Sequence, residues 1–139
     1  VSRSTCRERI ILCGSIPHSR LGTWFNASDL SCLPSYFEGT PNVVLESLAC
    51  ATPVVAADTG GIPEVIDDDS GILFRRGSTA SLVEALEKGL ARKWDRGKIT
   101  CPAGTWEENA SRIAELFRAS IAEYRASNVV RGGGAGIME

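Results

Sequence analysis

The sequence has a single histidine and a single methionine, and its cysteines form no C-x-x-C pair. Each shortage removes a class of chemistry. With His18 as the only imidazole, a zinc site or a Ser-His-Asp triad would have to be assembled around one ring, and neither is expected. The five cysteines (Cys6, Cys13, Cys32, Cys50 and Cys101) are odd in number. Cys13, Cys32 and Cys50 lie inside apolar runs, where a free thiol behaves as a small hydrophobe. That usage suits a reducing compartment, the cytoplasm, better than a disulfide framework. No run approaches the roughly 20 apolar residues of a membrane span, and no signal peptide is read at the start. A net charge of −2 gives neither a nucleic-acid footprint nor a basic membrane-binding face.

What is present is an ordinary globular composition, 43% hydrophobic and 23% charged over 139 residues. That suffices for one domain with its own core and is too little for two. The first residue is Val1, so the chain reads as a fragment or a trimmed product. Short apolar runs alternate with helical patterns. Strands are expected at Arg9 to Cys13, Asp29 to Pro34, Thr52 to Ala57 and Gly71 to Arg75. Helices are expected at Ser19 to Ser28, Pro41 to Cys50, Ile62 to Ile66 and Ser78 to Lys93. Leu82, Val83, Leu86 and Leu90 repeat at helical spacing in the fourth of these. A last helix opens with a capping box, Thr105 with Glu108, and Trp106, Ala110, Ile113, Phe117, Ile121 and Tyr124 mark one of its faces. Trp24 and Trp106 read as core or interface aromatics, and Trp94, in a polar stretch, as partly exposed. Residues 1–127 form the domain, and 128–139 form a Gly-rich tail expected to be disordered.

Strands separated by helices imply parallel pairing in an α/β domain, a Rossmann-like sheet of about four strands with flanking helices. Apolar strands without alternation imply a sheet covered on both faces, with ligands at the carboxyl ends of the strands. Ser35 to Thr40 and Asp58 to Gly61 both follow strands and should open onto that edge.

One segment concentrates the chemistry: Glu38-Gly39-Thr40-Pro41-Asn42-Val43-Val44-Leu45-Glu46. Its two acids stand eight positions apart with no charge between them, and from Gly39 to Ala57 only Glu46 is charged. Thr40 suits an N-cap and Pro41 the first helical position. The free N–H groups of Asn42 and Val43 would then point out of the helix end beside Gly39, as an anion site suited to a diphosphate. The helix dipole adds about 0.3–1 kcal/mol per nearby charge. Glu38 and Glu46 could accept from hydroxyls on either flank of that phosphate. Spacing alone leaves a second reading open, in which one acid complements the dipole and the other is simply solvated.

The stretch L-P-S-Y-F-E-G-T-P-N-V-V-L-E-S-L-A-C-A-T-P-V-V-A-A-D-T-G-G-I-P-E-V-I resembles the donor-binding domain of retaining GT-B glycosyltransferases, the group that includes sucrose-synthase-like and mannosyltransferase-like enzymes. The resemblance runs from about Arg9 to Tyr124 and includes G-I-L-F and T-W-E-E. It implies a nucleotide-diphosphate sugar as partner and no metal or other cofactor. Glu38 would be the catalytic-site residue, contacting donor-sugar hydroxyls near the reacting carbon, and Glu46 would accept from the ribose. Gly39, Thr40, Pro41, Asn42 and Val43 would line sugar and diphosphate, and Gly14, Ser15 and Ile16 would lie against the base. Gly60-Gly61 reads either as a donor contact or as a tight turn. One departure is Ala51, where the family has Gly, and its cost is expected to be small because it lies at a helix end.

The resemblance also implies absences. The family closes a cleft against an acceptor domain, and an Arg and a Lys early in the donor domain neutralise the diphosphate. Neither feature is recognised in this chain, so turnover by the chain alone is not expected. The family's strand order is 3-2-1-4-5-6, and this chain starts at strand 3. Arg9 to Cys13 is therefore expected to move beside Asp29 to Pro34 by a right-handed crossover, with two chains burying their uncovered faces as a homodimer. Two functions follow: the nucleotide-sugar-binding part of a retaining glycosyltransferase, or a non-catalytic remnant stable as an oligomer. A nucleotide-sugar epimerase fits the two-acid segment less well.

Overall fold

The computed structural model describes residues 6–132 in two compact units, one up to Pro102 and one from Ala103. The first unit holds a 3-10 turn at Arg7–Arg9, then α1 (His18–Asn26), β1 (Ser31–Leu33), α2 (Asn42–Ala49) and β2 (Val54–Ala57). A 3-10 turn at Ile62–Glu64, β3 (Gly71–Phe74) and α3 (Thr79–Ala91) complete it. All three strands are parallel in the order β1-β2-β3, with Ser31 opposite Val54 and Val54 opposite Gly71.

β2 is buried at every position because it is central and covered on both faces. Val54 and Ala56 face Val44 and Leu48 of α2, together with Ile62, Ile66 and Ile99. Val55 and Ala57 face the other way, into a layer with Phe74 and Ala85 flanked by Leu82 and Leu86 of α3. The two layers follow from strand period 2 meeting helices that repeat every three or four residues. Gly89 lets α3 cross closely, since a Cβ there would stand 3.0 Å from Leu30 and 3.2 Å from Val55. Ser78 caps α3 by accepting from Ser81 N–H at 3.3 Å.

A buried polar relay fixes α2 against the sheet. Ser47 Oγ donates to Thr52 O at 3.0 Å, so in the 2.7 Å contact between Ser31 and Ser47 hydroxyls Ser31 donates. Thr52 Oγ1 donates to Phe25 O at 2.7 Å, tying in the end of α1. Ser47 and Thr52 are both fully buried, and leaving either unpaired would cost about 1–3 kcal/mol.

Several expectations need correction. The expected strand at Arg9 to Cys13 is not formed, so the sheet has three strands among the described residues rather than about four. Apolar composition does not make a strand without a backbone to pair with, and the segment does not reach β1. It leaves Ile11 and Leu12 highly exposed. Cys13 is exposed with it, and Cys32 is exposed because it lies on the edge strand. Trp24, expected as a core or interface aromatic, is 47% exposed and so is not core; Trp94 is half-buried and donates Nε1–H to Gly89 O at 2.8 Å.

The second unit contains α4 (Trp106–Gly132), opened by the expected capping box. Glu108 accepts from Thr105 N–H at 2.7 Å, and Thr105 Oγ1 accepts from Glu108 N–H at 3.2 Å. The helix extends past Asn128, where the tail was expected to begin; residues 133–139 lie outside the described residues.

The end of α2 shows why Ala51 matters more than its distance from a ligand suggests. Ala51 N–H bonds Leu48 O at 2.9 Å and Thr52 N–H bonds Ser47 O at 3.0 Å, the paired bonds of a Schellman cap. The cap needs a left-handed residue, and Ala51 takes it at φ 53°. An L-residue pays about 1–2 kcal/mol for that conformation, partly offset by glycine's larger unfolded-state entropy. Ala51→Gly should therefore raise stability by about 0.5–1 kcal/mol, read as a higher urea midpoint at unchanged m. An unchanged or lower midpoint would contradict this assignment.

Candidate functional site

Because the strands are parallel, the loops after β1 and β2 emerge on one edge, and they touch there. Gly61 N–H donates to Gly39 O at 2.8 Å, and Thr59 Oγ1 donates to Tyr36 O at 3.2 Å. The fit depends on glycine. Gly60 has φ 57°, and a Cβ on it would fall on the Glu38 carbonyl oxygen. On Gly61 a Cβ would lie 2.6 Å from Thr40 Oγ1 and 3.1 Å from Gly39 O. Gly60-Gly61 is therefore the backbone seat of the Glu38–Thr40 loop. From the β3 side, Arg76 Nη1 donates to Tyr36 O at 3.2 Å, and its guanidinium lies 5.0 Å from the Phe37 ring centroid.

The loop delivers the chain into α2 one residue later than expected. Pro41, not Thr40, occupies the N-cap position, with φ −72° and ψ 126°, and no side chain caps the helix. Pro41 O accepts from Val44 N–H at 3.0 Å. Among the described residues no acceptor takes the N–H of Asn42 or Val43, whose residues are exposed, so both orphan donors of this helix end face outward. Pro41 itself is buried, and Gly39 and Thr40 are exposed.

Glu38 is half-buried, and its carboxylate has no hydrogen bond or ion pair among the described residues. Glu46 is the fifth residue of α2, about 6 Å of helical rise, or one turn, from Asn42. Its Oε1 lies 3.0 Å from His18 Nε2. The turn expected to face the base leads into α1. Gly14 has φ 66°, and Gly14, Ser15 and Ile16 make no hydrogen bond to residues 38–46 among the described residues. They lead through Pro17 into α1, whose first residue, His18, reaches Glu46.

The structure thus assembles Glu38, Gly39, Thr40, Pro41, Asn42, Val43 and Glu46 around one helix start. Three further contributors, Gly60-Gly61 as a seat, Arg76 and His18, carried no motif strong enough to assign those roles. A separate depression of about 100 Å³ lined by Pro34, Tyr36, Phe74 and Leu82 contains none of the expected residues. It falls well short of the roughly 300 Å³ of a small-molecule pocket. Among the described residues no three His, Cys, Asp or Glu side chains gather as a metal site.

A parallel α/β unit with an open helix N-terminus at the carboxyl edge defines a class, and comparison with known proteins supplies the family. The family described as glycosyl transferases group 1 matches residues 2–92, and the chain belongs to it. The match is to the C-terminal domain of the GT-B architecture. The chain is 33% identical over 124 residues to a D-inositol 3-phosphate glycosyltransferase of Mycobacteroides abscessus, covering 86% of this chain and 28% of that protein. The protein of that name from Mycobacterium bovis is 34% identical over 125 residues, with 84% and 26% covered. Among solved structures, sucrose-phosphate synthase from Thermosynechococcus elongatus superposes with a TM-score of 0.66 at 28% identity, over 84% of this chain and 31% of that one. The catalytic domain of starch synthase IV from Arabidopsis thaliana, bound to ADP and acarbose, shares the fold with a TM-score of 0.64 at 21% identity, over 78% and 26%. The chain therefore spans between a quarter and a third of the length of these relatives.

The seating of one loop on the other yields a direct test. Gly60→Ala adds left-handed strain and a backbone clash, and should cost on the order of 2–3 kcal/mol. Circular-dichroism melting should show the loss, whereas Gly39→Ala, where a Cβ meets nothing within 4 Å, should melt near wild type. Equal melting of Gly60→Ala and wild type would refute the seat.

Proposed function

We propose that this chain is the nucleotide-sugar-binding portion of a retaining glycosyltransferase, acting on a nucleotide-diphosphate sugar. The observation that carries the reading is the open start of α2: two outward N–H donors at Asn42 and Val43, flanked by carboxylates at Glu38 and Glu46. The diphosphate would take those N–H groups and the positive end of the helix dipole. Glu38 would accept from sugar hydroxyls, and its lack of a protein partner leaves it available to do so. Glu46 would accept from the ribose, while Gly39, Thr40 and Pro41 line the sugar and diphosphate. Gly14, Ser15 and Ile16 would approach the base from the segment that enters α1.

Retention in this reading proceeds on one face of the sugar. The departing phosphate assists deprotonation of the acceptor, and Glu38 orients the sugar rather than attacking it. Such a reaction stabilises charge on the leaving diphosphate, usually the largest catalytic contribution. The helix start supplies part of that stabilisation. Transfer to an acceptor is assigned to the longer architecture of the relatives, of which this chain corresponds to the donor-binding part. Free thiols at Cys13, Cys32, Cys50 and Cys101 support a reducing, cytoplasmic setting, and no helix among the described residues is long and apolar enough to cross a membrane.

Calorimetric titration of the 139-residue chain with UDP-, GDP- and ADP-sugars tests the reading. One of the three should bind, and Glu46→Ala should weaken that ligand by about ten- to a hundred-fold, the loss of a charged acceptor. Silence with all three would sink it.

The second reading, a non-catalytic remnant stable as a homodimer, draws on a different observation. Ile11 and Leu12 are 83% and 77% exposed, and among the described residues the edge strand β1 pairs only with β2. Such surfaces favour association. A stable monomer in light scattering at micromolar concentration would rule this reading out.

A further inference from the structure

Glu46 is not free-standing. His18, the first residue of α1, brings Nε2 to 3.0 Å from Glu46 Oε1 across 28 sequence positions. A carboxylate only accepts, so the ring nitrogen carries the hydrogen, and neutral or protonated imidazole can supply it. The pair does little for stability, because the His18 side chain is 83% exposed and exposed ion pairs contribute little. It does, however, order a side chain that the proposed donor would use. The bond occupies Oε1 and leaves Oε2 without a protein partner among the described residues.

We propose that His18 is a positioning residue for donor recognition: it holds Glu46 in one rotamer, with Oε2 presented to the ribose hydroxyls. The inference rests on the reading of Glu46 as the ribose acceptor. A free glutamate loses much of its rotamer freedom when it takes up a ligand, and restraining it beforehand removes that cost from binding. The same bond ties the Gly14-to-Pro17 segment, assigned to the base, to the carboxylate assigned to the ribose.

The test compares ribonucleotide with deoxynucleotide. The full chain and its His18→Ala and His18→Gln variants are titrated calorimetrically with UDP, GDP and ADP, and with their 2′,3′-dideoxy counterparts. His18→Ala should weaken the ribonucleotide that binds by about three- to ten-fold and leave its dideoxy counterpart unchanged. His18→Gln, whose side-chain amide can donate from a similar place, should recover most of that loss. Wild-type affinity in His18→Ala would overturn the role of His18 while leaving the Glu46 reading intact. Equal weakening of both ligands would also overturn it, since that marks a structural effect. A wild-type chain that binds neither ligand, or both alike, would refute the Glu46 reading and this inference together.

Discussion

The contact between Gly60-Gly61 and the Glu38–Thr40 loop is the constraint on which the candidate site depends. It is a backbone contact, made at 2.8 Å between Gly61 N–H and Gly39 O, and it closes only because neither glycine has a side chain. Parallel strands bring the two loops to one edge, but adjacency alone would leave the first loop free to wander. Seated on the second loop, and held from the β3 side by Arg76, it delivers the chain into α2 with Asn42 and Val43 N–H groups outward. The Ser31–Ser47–Thr52 relay anchors the other end of α2. The site is therefore a helix clamped at both ends, with its first turn left open.

Much of this was legible in the sequence, for physical reasons. Val54 to Ala57 reads as a buried strand because its apolar residues run without alternation, and β2 is buried at every position. The Thr105–Glu108 pair announces a helix start because capping is local chemistry. The Glu38 to Glu46 segment contains its own helix start, so the two acids and the open N–H groups were readable together. The helix begins one residue later than Thr40 suggested because Pro41, with extended ψ, serves as N-cap itself.

What escaped was non-local. Arg9 to Cys13 has the composition of a strand, yet a strand exists only through a partner's hydrogen bonds, and composition does not report whether one is there. His18 and Glu46 lie 28 positions apart on different helices, a pairing no periodicity encodes. Gly60-Gly61 was ambiguous between ligand contact and turn because the sequence does not show which backbone approaches it. Ala51 stands at a helix end, but the sequence does not show that this end closes in a left-handed cap, at φ 53°, where an L-residue is costly.

The central proposal is that the start of α2 receives the diphosphate of a nucleotide-sugar. The most direct measurement is a titration of the isotope-labelled chain with UDP, GDP and ADP, followed through assigned backbone amide resonances. The account predicts that the largest saturable shifts fall on the N–H groups of Asn42 and Val43, with Gly39 following. Saturable shifts that leave Asn42 and Val43 unmoved, or no saturable shift with any of the three, would contradict it.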